Sequence, residues 1–129
     1  MTLRILIIAA LVVVAAPAGA QSGRNRILRD EIAQSHATSV YDLVRSRRPA
    51  WLNRQHATSL SGESAELAVF VDGARLESIA ELRQVSAVNA EKVEFLSAAQ
   101  AEFRFGQGSP NGAIVVTSRT AQPQASPQG

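Results

Sequence analysis

Serines, two histidines and eleven acidic residues are the side chains of this 129-residue chain that could perform catalysis. A serine nucleophile needs a base within hydrogen-bond reach and a third group that orients the base. No G-x-S-x-G turn is present, and His36 and His56 both stand in polar sequence without a partner at ligand spacing. The spacing therefore predicts no triad, no zinc site, no cofactor and no enzymatic activity. The chain has no cysteine, so a disulfide framework is excluded.

Converging carboxylates are the enzymatic alternative that the sequence leaves open, as in a glycosidase. Glu63, Glu66 and Asp72 lie in or near the polar stretch 53–66 and come nearest to such a set. Asp72 also has a structural explanation, because Asp-Gly is the dipeptide that most favours a tight hairpin and Gly73 accepts positive φ. We interpret Asp72 as a turn residue whose side chain bonds nearby backbone amides. A small envelope hydrolase remains an alternative.

Three glycines, Gly106, Gly108 and Gly112, raise the question of a phosphate-binding loop. Backbone amides in a glycine-rich turn can bind an anion when the turn leads into a helix. Here the glycines follow a helical pattern and precede an apolar strand, and no Lys-Ser or Lys-Thr follows them. We predict a structural loop and no nucleotide site.

Short apolar runs and capping signals predict the elements of the C-terminal half. Residues 67–71 form an apolar strand that returns through Asp72-Gly73 into 74–76, and 92–96 and 113–117 supply two more strands. Ser78 and Glu81 form a capping box before a short helix with Ile79, Leu82 and Val85 on one face. Residues 98–105 have helical character, and we predict Phe103 and Phe105 as core anchors.

A helix capped by Thr38 or Ser39 is predicted in the N-terminal half, after a strand or helical turn over 27–32. Its apolar stripe contains Val40, Leu43 and Val44, and Pro49 ends it. Cations at its C-terminus oppose the negative end of the helix dipole. We interpret them as a solvated helix end, with a partner surface as the alternative; these residues are Arg45, Arg47 and Arg48. Residues 53–66 are predicted to form a mobile loop.

The first twenty residues have the pattern of a secretory signal peptide. Arg4 precedes the apolar run 5–16, and Ala18-Gly19-Ala20 matches a cleavage site. The run of twelve residues is shorter than the roughly 20 needed to cross a bilayer. We therefore predict secretion across the inner membrane and no transmembrane segment in the mature chain.

Net charge gives no support to a nucleic-acid partner. The formal charge is only +2 although the pI is near 9.9, because little titrates between the carboxylates and the basic side chains. The charge is uneven, since residues 24–54 carry seven arginines and only three acidic groups. Such an excess can contact an anionic surface. We predict no nucleic-acid binding.

Three separate pieces of the second half agree in order and spacing with one known pattern. The first is V-x-V-D-G, the second an E-containing strand, and the third a glycine-rich loop with a closing strand. Together they resemble the plug domain of TonB-dependent outer-membrane receptors, although Leu96-Ser97-Ala98 replaces the family's basic residue, Gly and Pro. The matching residues are Val69, Val71, Asp72, Gly73, Val93, Glu94, Gly106, Gly108, Gly112, Ile114, Val116, Thr117 and Arg119.

The resemblance implies an α+β fold, a small plug-like domain over 27–119 with a mixed short-stranded sheet and two or three short helices. We expect a flexible N-terminus over 21–26 and a disordered tail over 120–129. A receptor barrel of about 22 strands needs far more than the ten residues after Arg119. We therefore predict a binding or accessory module of the periplasm or outer membrane. Its partner would be a protein or glycan; the structural alternative is docking into a separately encoded barrel.

Overall fold

Five short strands form one mixed sheet in the computed structural model, which describes residues 23–54 and 66–121. The spatial order is β1-β4-β5-β2-β3. Their bounds are β1 Arg26–Leu28, β2 Ala68–Val71, β3 Ala74–Arg75, β4 Ala90–Leu96 and β5 Ala113–Ser118. β2 runs parallel to β5, and the other neighbouring strands are antiparallel. The predicted α+β class is confirmed.

Four α-helices lie within the described ranges, more than the two or three expected. They are α1 Arg29–Ser35, α2 Val40–Arg47, α3 Pro49–Asn53 and α4 Ala98–Phe105. The stretch 27–32 supplies both a strand and a helix, since α1 follows β1 directly. Pro49 ends α2 as predicted, but it also occupies the first turn of α3, where its missing N–H costs nothing.

The main core lies on one face of the sheet, beneath α1, α2 and α3. The apolar stripe of α2 is completely buried, and Ser39 caps the helix by accepting from the Asp42 amide at 3.2 Å. Trp51 of α3 packs on Phe95 of β4 with ring centroids 5.9 Å apart. The capping and the stripe predicted for α2 are confirmed.

Helix α4 packs on the opposite face of the sheet. Ala101 is fully buried, and Phe105 stacks on Phe70 with centroids 3.9 Å apart and planes 7° from parallel. Phe103, in contrast, is 95% exposed, so its prediction as a core anchor was wrong. At 3.6 residues per turn, positions 101 and 105 share one face and position 103 lies on the other.

The Asp72-Gly73 turn between β2 and β3 has both residues at positive φ, 52° and 86°, as the hairpin prediction requires. The Asp72 carboxylate accepts from a backbone amide as predicted, but this amide belongs to Ser118, 46 residues along the chain, rather than to the turn itself. It accepts from the Ser118 amide at 2.8 Å and from the Ser118 hydroxyl at 2.7 Å. β5 runs beside β2 in parallel register, which brings its end to the turn.

Residues 79–83 form a 3₁₀ helix rather than an α-helix. The predicted capping box between Ser78 and Glu81 is present, and Ile79 and Leu82 are buried. A spacing of three residues places both on one side of a 3₁₀ helix. Two further 3₁₀ turns within the described ranges span Ala87–Asn89 and Arg119–Ala121.

Gly112 directly precedes β5, at a point where the chain passes very close to β4. Its φ is +92°, and a Cβ there would overlap the Leu96 carbonyl oxygen and lie 2.9 Å from Cζ of Phe95. Only glycine fits both conditions. Gly112 therefore has a structural role of the kind predicted for the glycine-rich loop, because no side chain fits at this position.

Several predictions fall on residues outside 23–54 and 66–121. These are the signal peptide over 1–20, most of the loop predicted over 53–66, and the tail after residue 121. Within the two described ranges, no helix is long and apolar enough to cross a membrane.

Candidate functional site

Glu94 of β4 is a buried carboxylate surrounded by three cations. Its side chain is 7% exposed, although charged and apolar residues alternate over 92–96 as in a strand with one solvent-facing side. Arg104 Nη1 lies 2.7 Å and Lys92 Nζ 3.3 Å from Glu94 Oε1, and Arg26 Nε lies 3.7 Å from Oε2. We call Arg26, Lys92, Glu94 and Arg104 the Glu94 cluster.

Local structure explains how these four side chains meet. Arg26 is directly opposite Glu94 in the β1–β4 register, and Lys92 lies two residues earlier on the same side of β4. Arg104 comes from the last turn of α4, where a cation is also favoured by the helix dipole. Two strands and one helix therefore meet at a single carboxylate.

Burial alone would raise the pKa of Glu94, but its cationic neighbours outweigh that effect. The hydrogen bond from Arg104 and the charge and hydrogen bond of Lys92 lower the pKa below its ordinary value. Glu94 is therefore charged at neutral pH. Three cations around one carboxylate leave a formal excess of two positive charges.

A shallow, open groove of about 430 Å³ adjoins the cluster on the outer side of α4. Most of its lining is apolar, and Phe103 projects from it almost fully into solvent. Arg104 belongs both to this groove and to the Glu94 cluster. We call it the α4 groove; its residues are Leu96, Ala99, Gln100, Phe103 and Arg104.

A second depression of about 400 Å³ lies beside α1 and contains His36 and Arg29. Arg29 is used structurally, since Nη1 donates to the carbonyls of Val88 at 2.9 Å and Ala90 at 3.2 Å. His36 ends α1 in the left-handed conformation with φ 54°. In the described part of the chain, no three His, Cys, Asp or Glu side chains are grouped so as to hold a metal ion.

Among the plug-like motif residues, six were candidates for the site, and the structure brings only Glu94 of these into the cluster; the six are Asp72, Gly73, Glu94, Gly106, Gly108 and Gly112. Asp72 and Gly73 form the β2–β3 turn, and Gly106, Gly108 and Gly112 lie in the loop between α4 and β5. Gly108 accepts a 3.0 Å hydrogen bond from Arg75 through its carbonyl oxygen. These five residues have structural roles in turns and close contacts.

Arg48 is not part of a solvated helix end, so the interpretation of the three arginines was wrong for this residue. It donates to Glu31 Oε1 at 2.8 Å and to three carbonyl oxygens of the segment before and within β1. The chain turns sharply at Pro49 and directs this guanidinium toward the β1 edge. Arg45 is exposed and Arg47 is half-buried.

The carboxylate set considered for hydrolysis is not assembled among the described residues. Glu66 is exposed, and both oxygens of Asp72 accept hydrogen bonds from Ser118. Glu63 and His56 lie outside the described residues.

Sequence reasoning missed the cations of the cluster and the α4 groove. The alternation Lys92-Val93-Glu94 already places Lys92 and Glu94 on one side of a strand. The helical phase of Ala101 and Phe105 could also have identified Phe103 as outward-facing. No local sequence pattern predicts the contact of Arg26 with Glu94, because it depends on the pairing of β1 with β4, which are distant in sequence.

Comparison with known protein families and with curated proteins identifies no relative of this chain. No protein-family model matches the chain, and no curated protein matches it at a significant level. A functional assignment must therefore rest on its residues and their geometry.

Proposed function

We propose that the chain is a secreted, non-enzymatic binding or accessory module of the cell envelope with a plug-like fold. The observation that carries this proposal is the 95% exposure of Phe103 beside the α4 groove. The partner we favour is a protein, because an apolar groove with a projecting aromatic ring suits a protein side chain better than a glycan hydroxyl array.

The two faces of α4 differ in a way that supports binding. The inner face is used by Ala101 and Phe105 for packing on the sheet, so Phe103 adds nothing to that contact. Scattered exposed apolar residues are common on protein surfaces. Here, however, the aromatic ring stands next to an open and mostly apolar surface, and aromatic anchors are enriched in interfaces.

The compartment is inferred from sequence. The pattern of residues 1–20 supports secretion, and the plug-like motifs support the periplasm or outer membrane as the location. Under this proposal a separately encoded outer-membrane barrel is one partner of the expected kind. The alternative of an envelope hydrolase gains no support from Asp72, whose carboxylate is engaged by Ser118.

Cross-linking in the native envelope tests the proposal. The wild-type chain, Phe103→Ser and Val88→Ser would be tagged, cross-linked in cells and analysed by mass spectrometry. Val88 is a matched control, because it is 62% exposed and lies beside α1 rather than α4. We expect wild type and Val88→Ser to capture the same partner and Phe103→Ser to lose it. Equal capture by all three, or capture of no envelope protein by wild type, would contradict the proposal.

A further inference from the structure

We propose that the module recognises an acidic protein segment, which places an apolar side chain in the α4 groove and carboxylates against the Glu94 cluster. This inference rests on the proposed function and specifies the chemistry of the partner. It follows from three observations: the two surfaces adjoin, the cluster carries excess positive charge, and its cations are held in place by a buried carboxylate.

The groove and the cluster form one continuous surface. Leu96 lines the groove and lies two residues beyond Glu94 on the same side of β4, which corresponds to about 7 Å along a strand. Arg104 belongs to both. An extended peptide also spaces alternate side chains by about 7 Å, so an apolar residue and an acidic residue two positions away can contact both surfaces.

Charge complementarity decides the nature of the segment. Arg104 supplies the short 2.7 Å contact to Glu94, whereas Lys92 and Arg26 lie farther away, at 3.3 and 3.7 Å. The side chains of Lys92 and Arg26 are 32% and 52% exposed, so a second carboxylate can reach them. Guanidinium groups bind carboxylates with defined geometry.

Within residues 23–54 and 66–121, Glu94 is the only acidic group in contact with these cations. Glu102, the second acidic residue near this end of α4, lines a separate depression beside Gly108 and Ser109. The excess of two charges is therefore not balanced within the cluster. Buried Glu94 keeps the cations ordered before binding, which reduces the entropy lost when a partner carboxylate arrives.

The observations favour a protein segment over an anionic membrane. A lipid surface is contacted by basic side chains that project into the headgroup layer. The side chains of Lys92 and Arg26 are instead only 32% and 52% exposed and are held beside Glu94, so they suit a single carboxylate that approaches the cluster. Membrane binding is therefore one of the outcomes that would overturn this inference.

Peptide binding to the mature wild-type chain provides the test. The probe is a short fluorescent peptide in which leucine and glutamate stand two positions apart with serine between them, and the control peptide carries lysine in place of glutamate. The double variant Arg26→Ala/Lys92→Ala removes the excess charge and leaves the Arg104–Glu94 hydrogen bond in place. Arg45→Ala, on exposed α2 surface, is the charge control. Thermal unfolding would establish that each variant is folded.

We expect the double variant and Phe103→Ser each to weaken binding of the glutamate peptide by about tenfold or more, equivalent to about 1.4 kcal/mol. Arg45→Ala should bind as wild type, and added salt should weaken binding. Equal binding of the lysine peptide, no binding of either peptide, or binding only to anionic phospholipid vesicles would overturn the inference.

Envelope capture separates this inference from the proposed function. If capture requires Phe103 but is unchanged in Arg26→Ala/Lys92→Ala, the module binds a partner and the acidic specificity is wrong. If wild type captures no envelope protein, the proposed function itself fails.

Discussion

Arg104 of α4 donates a 2.7 Å hydrogen bond to Oε1 of Glu94 on β4, and the preceding residue, Phe103, is directed into solvent. The ion pair attaches the C-terminal turn of α4 to the sheet. It therefore helps to fix the helix rotation that exposes Phe103. The same contact therefore stabilises α4 on the sheet and orients the residue that we propose for binding.

Glu94→Gln tests the stabilising role of the cluster. The substitution keeps the shape of the side chain and removes the charge that three cations share. Because those cations are a third to a half exposed, solvent moderates the loss, and we expect about 1 kcal/mol of destabilisation at pH 7. Urea unfolding measures it. An unchanged free energy of unfolding would show that the cluster adds no stability.

The pH dependence of that difference follows from the lowered pKa of Glu94. The unfolded chain has the ordinary glutamate pKa of about 4.3, above the folded value, so the contribution is complete above that pH. It disappears as the pH falls through the folded pKa. The gap between wild type and Glu94→Gln should be constant from pH 6 to 8 and narrow below about pH 4. A gap that widens in acid would contradict the assignment.

Gly112→Ala should destabilise the chain far more than Gly106→Ala. Both glycines have positive φ, +92° and +83°, so alanine is strained at either position. Only at Gly112 would a Cβ also meet the Leu96 carbonyl and the Phe95 ring, and nothing lies within 4 Å at Gly106. We expect a loss of about 1 kcal/mol at Gly106 from backbone strain and several kcal/mol at Gly112. Equal urea unfolding midpoints for the two variants would contradict the close contact of Gly112 with Leu96 and Phe95.

Arg48→Ala should destabilise the N-terminal part of the domain, and Arg45→Ala should not. Arg48 holds Glu31 and the carbonyls of Gly23, Arg24 and Arg26. We expect a loss of about 2 kcal/mol, with faster hydrogen exchange at β1.

Arg48 also protects an open sheet edge. Asn25 accepts from the Phe95 amide, so the alternating antiparallel pattern turns the carbonyls of Arg24 and Arg26 outward. The Arg48 guanidinium donates a hydrogen bond to each of these two carbonyl oxygens. Arg48→Ala should therefore also raise aggregation at high concentration, since exposed edges pair with other chains. Light scattering equal to that of Arg45→Ala would argue against this role.

Asp72→Ala tests the connection between the hairpin turn and the end of β5. Alanine loses both hydrogen bonds to Ser118 and is strained at φ 52°. Asparagine tolerates positive φ and retains an acceptor oxygen. We expect a loss of about 2 kcal/mol for Asp72→Ala and about half of that for Asp72→Asn. A neutral Asp72→Ala would show that the contact is dispensable.

Local sequence signals predicted the helices and strands of this fold well, whereas contacts between elements distant in sequence could not be predicted from them. The capping of α2 by Ser39 and the Asp72-Gly73 turn are encoded within a few residues, so sequence reasoning found them. Phe103 was wrongly predicted in the core because the prediction relied on its aromatic side chain and did not consider which face of the helix position 103 occupies. Glu94 became buried because α4 packs over β4, and no local pattern reveals that packing.

A single cysteine placed in the α4 groove tests the central claim most directly, since the wild-type chain has none. Gln100→Cys would carry a photoactivatable cross-linker into the native envelope, and Arg45→Cys would serve as the control on α2. We predict that residue 100 gives a discrete cross-link to one envelope protein, which Phe103→Ser abolishes, and that residue 45 gives none. Cross-links of equal yield from both positions, or none from residue 100, would contradict a docking role for the α4 groove.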